Sequence, residues 1–168
     1  MCLLSFHEKL SCMRREAVLE ASRKGCSVAG ALDIIGERWT MLVIREAFLG
    51  LRRFDDFQIA IGCARNVLTA RLARLVEAGV LQRVPYRDEG QRERHEYRLT
   101  PAGHELYPVL QALRQWGDRW VNDGAPPIEV FHRDCGCPVH ADVRCVNGHG
   151  PLIARETDVR VLKRRRSR

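Results

Sequence analysis

A mostly helical fold with one small β-hairpin is what this sequence predicts, and three patterns predict it. Apolar residues recur at helical spacing through four short stretches between residues 27 and 78. The period then switches to two across "VLQRVPYRD" and "RHEYRLT", as it does in half-buried antiparallel strands. A helix-start signal, Thr100 followed by Pro101, restores the helical period after the strands.

The elements follow in order. Ser27 is placed to cap "SVAGALDII", with Val28, Leu32 and Ile35 on one face and Gly36 to stop the helix. In "ERWTMLVIREAFLG", Trp39, Leu42, Val43, Ala47 and Phe48 form a stripe that Gly50 ends. Phe54, Phe57 and Ile61 are spaced for burial in a short third helix. The fourth, "NVLTARLARLVEAG", buries Leu68, Leu72, Leu75 and Val76. The polar loop "YRDEGQRER" joins the two strands. The last helical stretch carries Leu106, Val109, Leu110, Leu113, Trp116 and Trp120, and Pro108 within it marks a kink or a break. Three helices, a hairpin and a closing helix make a winged helix-turn-helix, to which a Cys/His-rich C-terminal extension is added. The expected organisation is a partly helical N-terminal extension at 1–25, the winged helix-turn-helix at 26–123, a ribbon-like extension at 124–160 and a basic tail at 161–168.

A chain of 168 residues that is 45% hydrophobic and 29% charged is long enough for one well-packed core with extensions. Charge interrupts every apolar run too early for a transmembrane helix. The first residues lack the basic-then-apolar order of a secretion signal, so a cytoplasmic protein with no membrane partner is expected. The net charge of +7 sits mostly at the ends. Residues 26–123 hold 14 Lys/Arg against 13 Asp/Glu, whereas "KRRRSR" at the C-terminus alone supplies five cations. Such a tail attracts any polyanion without sequence preference, so a case for nucleic acid has to rest on local pattern. Seven scattered cysteines, an odd number, argue for reduced thiols rather than a disulfide framework.

The local pattern lies on the fourth helix. Beside its buried stripe stand Arg65, Asn66, Thr69 and Arg71 near the N-terminal half, the part that a recognition helix pushes into the major groove. Arg pairs bidentately with guanine and Asn with adenine, while Thr contacts a base or a phosphate. Arg87, Arg92 and Arg94 on the hairpin would reach flanking phosphates. A basic, solvated helix face is the commonplace alternative; the preceding helix, the short turn and the following hairpin, in that order, weigh against it.

These stretches, together with "GERWT", "YRLTPAGHEL" and "QALRQWGDRW", closely resemble the HxlR family of winged-helix transcriptional regulators over about residues 26–122. The resemblance implies a homodimeric, double-stranded-DNA-binding transcription factor without enzymatic activity. It maps Arg65, Asn66, Thr69 and Arg71 onto the recognition helix, Arg92 and Arg94 onto the wing, and Arg53 onto the "RRF" entrance to the helix before. The family usually has Ser where Ala64 stands, so this helix start lacks a side-chain cap, worth roughly 1 kcal/mol. Leu113, Trp116 and Trp120 are expected at a dimer interface, the other reading being that the tryptophans fold back onto the first helix of their own chain.

Some members of that family sense oxidants through a Cys where Cys26 stands. Here it lies at a helix start beside Arg23 and Lys24, both of which favour a thiolate. Cys63, beside Arg65, is a second redox candidate; for both residues, a small apolar filler is the competing reading. In the extension, His132, Cys135, Cys145 and His149 have spacing suited to a tetrahedral zinc site, with Cys137 and His140 as competing ligands. Asn147 and Gly148 stand where a second paired Cys would be expected, so a metal-free ribbon remains the alternative. Two other function classes stand beside the regulator: a thiol- or metal-dependent enzyme built on this Cys/His cluster, and a winged-helix adaptor that binds protein. The enzyme would need an activated nucleophile beside a positioned base and an oxyanion site, which the sequence does not supply.

Overall fold

A computed structural model describes residues 16–20, 25–87, 90 and 92–161. Arg23, Lys24, the tip of the hairpin loop and the "KRRRSR" tail lie outside the described residues. The chain divides into two compact units, one running from Ile34 to Asp142 and the other combining residues up to Asp33 with those from Val143 onward.

Helix α1 spans Ser27–Ile35. Ser27 is its first helical residue, and the cap position expected for it belongs to Cys26. The Cys26 carbonyl accepts Gly30 N–H at 3.0 Å, and its Sγ accepts Ala29 N–H at 3.5 Å. A sulfur can serve at this position because its lone pairs reach the orphan amides of the first turn. Of the expected stripe, only Ile35 is buried; Val28 and Leu32 are exposed.

The larger unit is built from α2 (Arg38–Phe48), α3 (Phe54–Ile61) and α4 (Arg65–Glu77), which surround Val43, Ile44, Phe57, Leu68, Leu72 and Leu75, all fully buried. On α2 the deepest residues are Thr40, Val43 and Ile44, with Leu42 and Phe48 only half-buried. The expected stripe is thus rotated by part of a turn. Glu46 is also buried, and its carboxylate is held by the guanidinium of Arg45. Gly62, at φ 69°, turns the chain between α3 and α4, a conformation that costs a residue without Cβ little.

The wing is an antiparallel pair, β1 (Leu81–Tyr86) and β2 (Arg94–Leu99), in the register Leu81↔Leu99 to Tyr86↔Arg94. Leu81 plugs into the helical core. Tyr97 N–H donates to the Arg52 carbonyl at 2.7 Å, and the Tyr97 ring stands edge-on to Phe57 with centroids 6.5 Å apart. These two contacts fix the hairpin at the entrance to α3.

Thr100 caps the next helix as expected, accepting Gly103 N–H at 3.1 Å. Gly103 is required by close approach, because a Cβ there would lie 2.2 Å from the Val80 carbonyl oxygen. The expected long helix is broken into α5 (Pro101–His104) and α6 (Tyr107–Trp120), with Pro108 in the first turn of α6, where its missing N–H costs nothing. Phe48 packs on Tyr107, centroids 5.2 Å apart, and seats the start of α6 on α2.

Beyond α6, the chain doubles back along it. Phe131 and Pro138 form a bridge, Val139 N–H donates to Val130, and Val139 and Ala141 are hydrogen-bonded to Arg114 and Gln115 of α6. In the other unit, Leu152 N–H donates to Val143, and a turn at Cys145 is closed by Gly148 N–H on its carbonyl.

A candidate nucleic-acid interface

Helix α4 has to present its N-terminal half without a side-chain cap. Ala64 is the N-cap, and no side chain accepts from the first turn. The turn is instead held from α3, where Gln58 Nε2 donates to the Cys63 carbonyl at 2.6 Å. Cys63 is 4% exposed and packs within the core, so its side chain fills the turn.

Three of the expected contact residues of α4 stand on the surface together. At 100° per residue, Arg65, Thr69 and Asn66 span about a quarter of the helix circumference. All three are exposed. Thr69 Oγ1 donates back to the Arg65 carbonyl at 2.9 Å, leaving its lone pairs and methyl outward. Arg71 does not share their face. The same arithmetic puts it about 160° from Thr69, on the opposite flank of the leucine stripe. There it is half-buried and paired with Glu37 Oε2 at 2.8 Å, tying α4 to the start of α2.

Arg65 turns toward the wing. Its guanidinium lies 4.6 Å above the Phe54 ring and 3.7 Å from Asp55. Arg53 stacks on Tyr86 at 4.5 Å. With Arg83, Arg94, His95 and Tyr97, these residues line one cleft of about 440 Å³ between the start of α3, the start of α4 and the hairpin. Four guanidiniums against one carboxylate make it a cationic groove, and stacking on Phe54 and Tyr86 holds two of them in place at little further entropic cost. Arg87 and Arg92 are exposed further along the hairpin.

Sequence reasoning missed Arg83 and His95. Arg83 Nη2 lies 3.3 Å from His95 Nδ1, and strand pairing sets Arg83 opposite Tyr97 and Pro85 opposite His95. The signal was available once register was assigned, since the pairing of Tyr86 with Arg94 brings both residues beside the cleft.

Leu113, Trp116 and Trp120 are 52%, 59% and 64% exposed among the described residues. The opposite side of α6 carries Arg114, Gln115 and Asp118. Arg114 pairs with Asp118 at 2.6 Å, and this is the side that receives the returning chain.

The four expected zinc ligands divide between the two units. His132 and Cys135 belong to the larger unit and Cys145 and His149 to the other, and among the described residues no three potential ligands form a group. His132 Nδ1 does lie 3.3 Å from Cys135 Sγ. Hydrogen bonds from the Cys137 amide and thiol hold the Cys135 thiol below its ordinary pKa. Among the described residues, no helix is long and apolar enough to cross a membrane.

Comparison with known proteins gives this geometry a context. Residues 34–125 match the profile of the HxlR-like helix-turn-helix family. Over 127 residues, 75% of this chain and 78% of the relative, the sequence is 46% identical to Rv3095 of Mycobacterium tuberculosis, an uncharacterized HTH-type transcriptional regulator. It is 36% identical over 97 residues to another such regulator, sll1512 of Synechocystis, covering 57% of this chain and 70% of that protein. Among solved structures, the candidate transcription factor PA1607 superposes with a TM-score of 0.71 at 43% identity, over 84% of this chain and 98% of its own. The redox regulator HypR in its reduced form superposes with a TM-score of 0.50 at 29% identity, over 58% of this chain and 97% of its own.

Proposed function

The chain belongs to the HxlR-like helix-turn-helix family of transcriptional regulators, which are not enzymes, and from that premise we propose that it acts as a homodimer on a pseudo-palindromic operator. Asn66 and Thr69 read base edges in the major groove, while the cleft of Arg53, Arg65, Arg83 and Arg94 clamps the adjacent backbone. The convergence of those four cations on one groove beside the exposed start of α4 carries this reading. It also favours DNA over the adaptor alternative, since a protein-binding face concentrates aromatic and aliphatic anchors rather than guanidiniums.

The dimer forms through the exposed face of α6, where Leu113, Trp116 and Trp120 are supported by Val109. Burying that face against a second copy satisfies both tryptophans and sets two α4 helices on successive turns of the duplex. A thiol is the proposed point of modulation. Cys26 is half-buried at the cap of α1, whereas Cys63 is sealed in the core, where an oxidant reaches it only if the turn opens. HypR, described as a redox regulator in both reduced and oxidised forms, lends support by similarity.

Selection of duplex fragments from random DNA by the purified protein tests the reading. One recurrent, two-fold-related sequence is expected. On that sequence, Asn66→Ala should cost about 1–3 kcal/mol and relax preference at one position, while Arg92→Ala should weaken all sequences alike. Failure to enrich any sequence at low salt would rule the reading out.

A further inference from the structure

The turn at 131–138 holds a feature that DNA recognition leaves unused. Cys135 and Cys137 are the two exposed cysteines among the described residues, and a lone glycine separates them. Gly136, at φ 69°, donates its N–H to the His132 carbonyl at 2.8 Å and folds the turn tightly. Cys137 Sγ donates to the Cys135 carbonyl at 3.7 Å, so the second thiol is bent back over the first residue. His132 stands on the other side, with Nδ1 3.3 Å from Cys135 Sγ and Nε2 3.7 Å from the carboxylate of Asp134. A nucleophile, a base, an orienting carboxylate and a resolving thiol thus share one turn.

We propose that Cys135 and Cys137 form an oxidisable dithiol that reduces a small hydroperoxide and closes to an intrachain disulfide. Cys135 sulfur attacks the distal oxygen of the hydroperoxide as the O–O bond breaks. His132 takes the thiol proton and passes it to the departing alkoxide or hydroxide, leaving a sulfenic acid on Cys135 and an alcohol or water. Cys137 sulfur then displaces the sulfenic hydroxyl, which leaves as water with the proton from Cys137. The two thiols lose two electrons in all, and the O–O bond gains them. No metal is needed, and the exposure of both thiols allows a small oxidant to reach them.

The turn is anchored to α6. Its return leg is bonded to Arg114 and Gln115, on the side of that helix opposite Leu113, Trp116 and Trp120. This inference does not depend on the DNA-binding reading, and its test uses no DNA.

Cleavage after Arg133 and Arg144 gives a peptide, 134–144, whose only cysteines are these two. The reduced full-length protein is treated with one equivalent of hydrogen peroxide, and its free thiols are then alkylated. Peptide 134–144 should emerge unalkylated and lighter by two hydrogens. Cys137→Ser should instead leave a sulfenic acid on Cys135 that dimedone traps, and Cys135→Ser should abolish both products. His132→Gln, with unchanged circular dichroism, should slow the reaction roughly tenfold or more. The proposal is overturned if wild-type peptide 134–144 keeps both thiols, or if its cysteines appear in disulfides to other peptides.

Discussion

Helices α4 and α6 are nearly equal in length, 13 and 14 residues, and both are amphipathic, yet they treat their apolar faces in opposite ways. The leucines of α4 at 68, 72 and 75 have no exposure at all, and Arg65, Asn66 and Thr69 are exposed. On α6 the tightly held residues are polar, with Gln111 buried and the Arg114–Asp118 pair tucked under the returning chain, while its largest apolar side chains stand in the open. Among the described residues, the apolar face of one helix is covered and that of the other is not. A large tryptophan surface left in contact with water, beside a polar face that is already satisfied, is the observation on which the proposed dimer rests.

The comparison can be broken at several points. Leu72→Ala should be the most damaging change, destabilising the fold by about 2–5 kcal/mol in a denaturant titration, because the cavity lies where three helices meet. Trp116→Ala should leave the folding midpoint of the isolated chain nearly unchanged and weaken self-association by about 2 kcal/mol or more, read by sedimentation equilibrium. If instead it unfolds the protein, α6 is completed within its own chain and the contrast fails. Arg83→Ala should lower DNA affinity across all sequences and reduce the steepness of its salt dependence by about one counterion. Glu37→Gln should have the smallest effect, below about 1 kcal/mol, since the pair with Arg71 is partly solvated. It should leave sequence preference intact, which would place Arg71 outside the reading face.

Much of this was legible beforehand, where a local rule governs. The leucine stripe of α4, the Thr100–Pro101 helix start and the alternation of the wing are properties of neighbouring residues, and each stands where the pattern put it. Other points turned on finer geometry than a pattern of residue types carries. Ser27 and Cys26 are both able to cap α1, and the register of the first turn decided between them. Arg71 shares a helix with Arg65 but not a face, a distinction that helical arithmetic could have drawn and a list of cations could not.

The two ends of the chain's chemistry divide in the same way. By itself, the amino-acid order determined which helix carries hydrogen-bonding side chains suited to bases, that a hairpin follows it, and that tryptophans recur four apart on the last helix, because periodicity and capping act over a few residues. Only the tertiary structure decided that Arg53, Arg65, Arg83 and Arg94 converge on one groove, that His132 Nδ1 lies against Cys135 Sγ, and that the tryptophans are left exposed. Those outcomes depend on strand register, on a left-handed glycine and on which side of α6 the returning chain takes. The groove brings together residues far apart in sequence, where spacing alone carries no information.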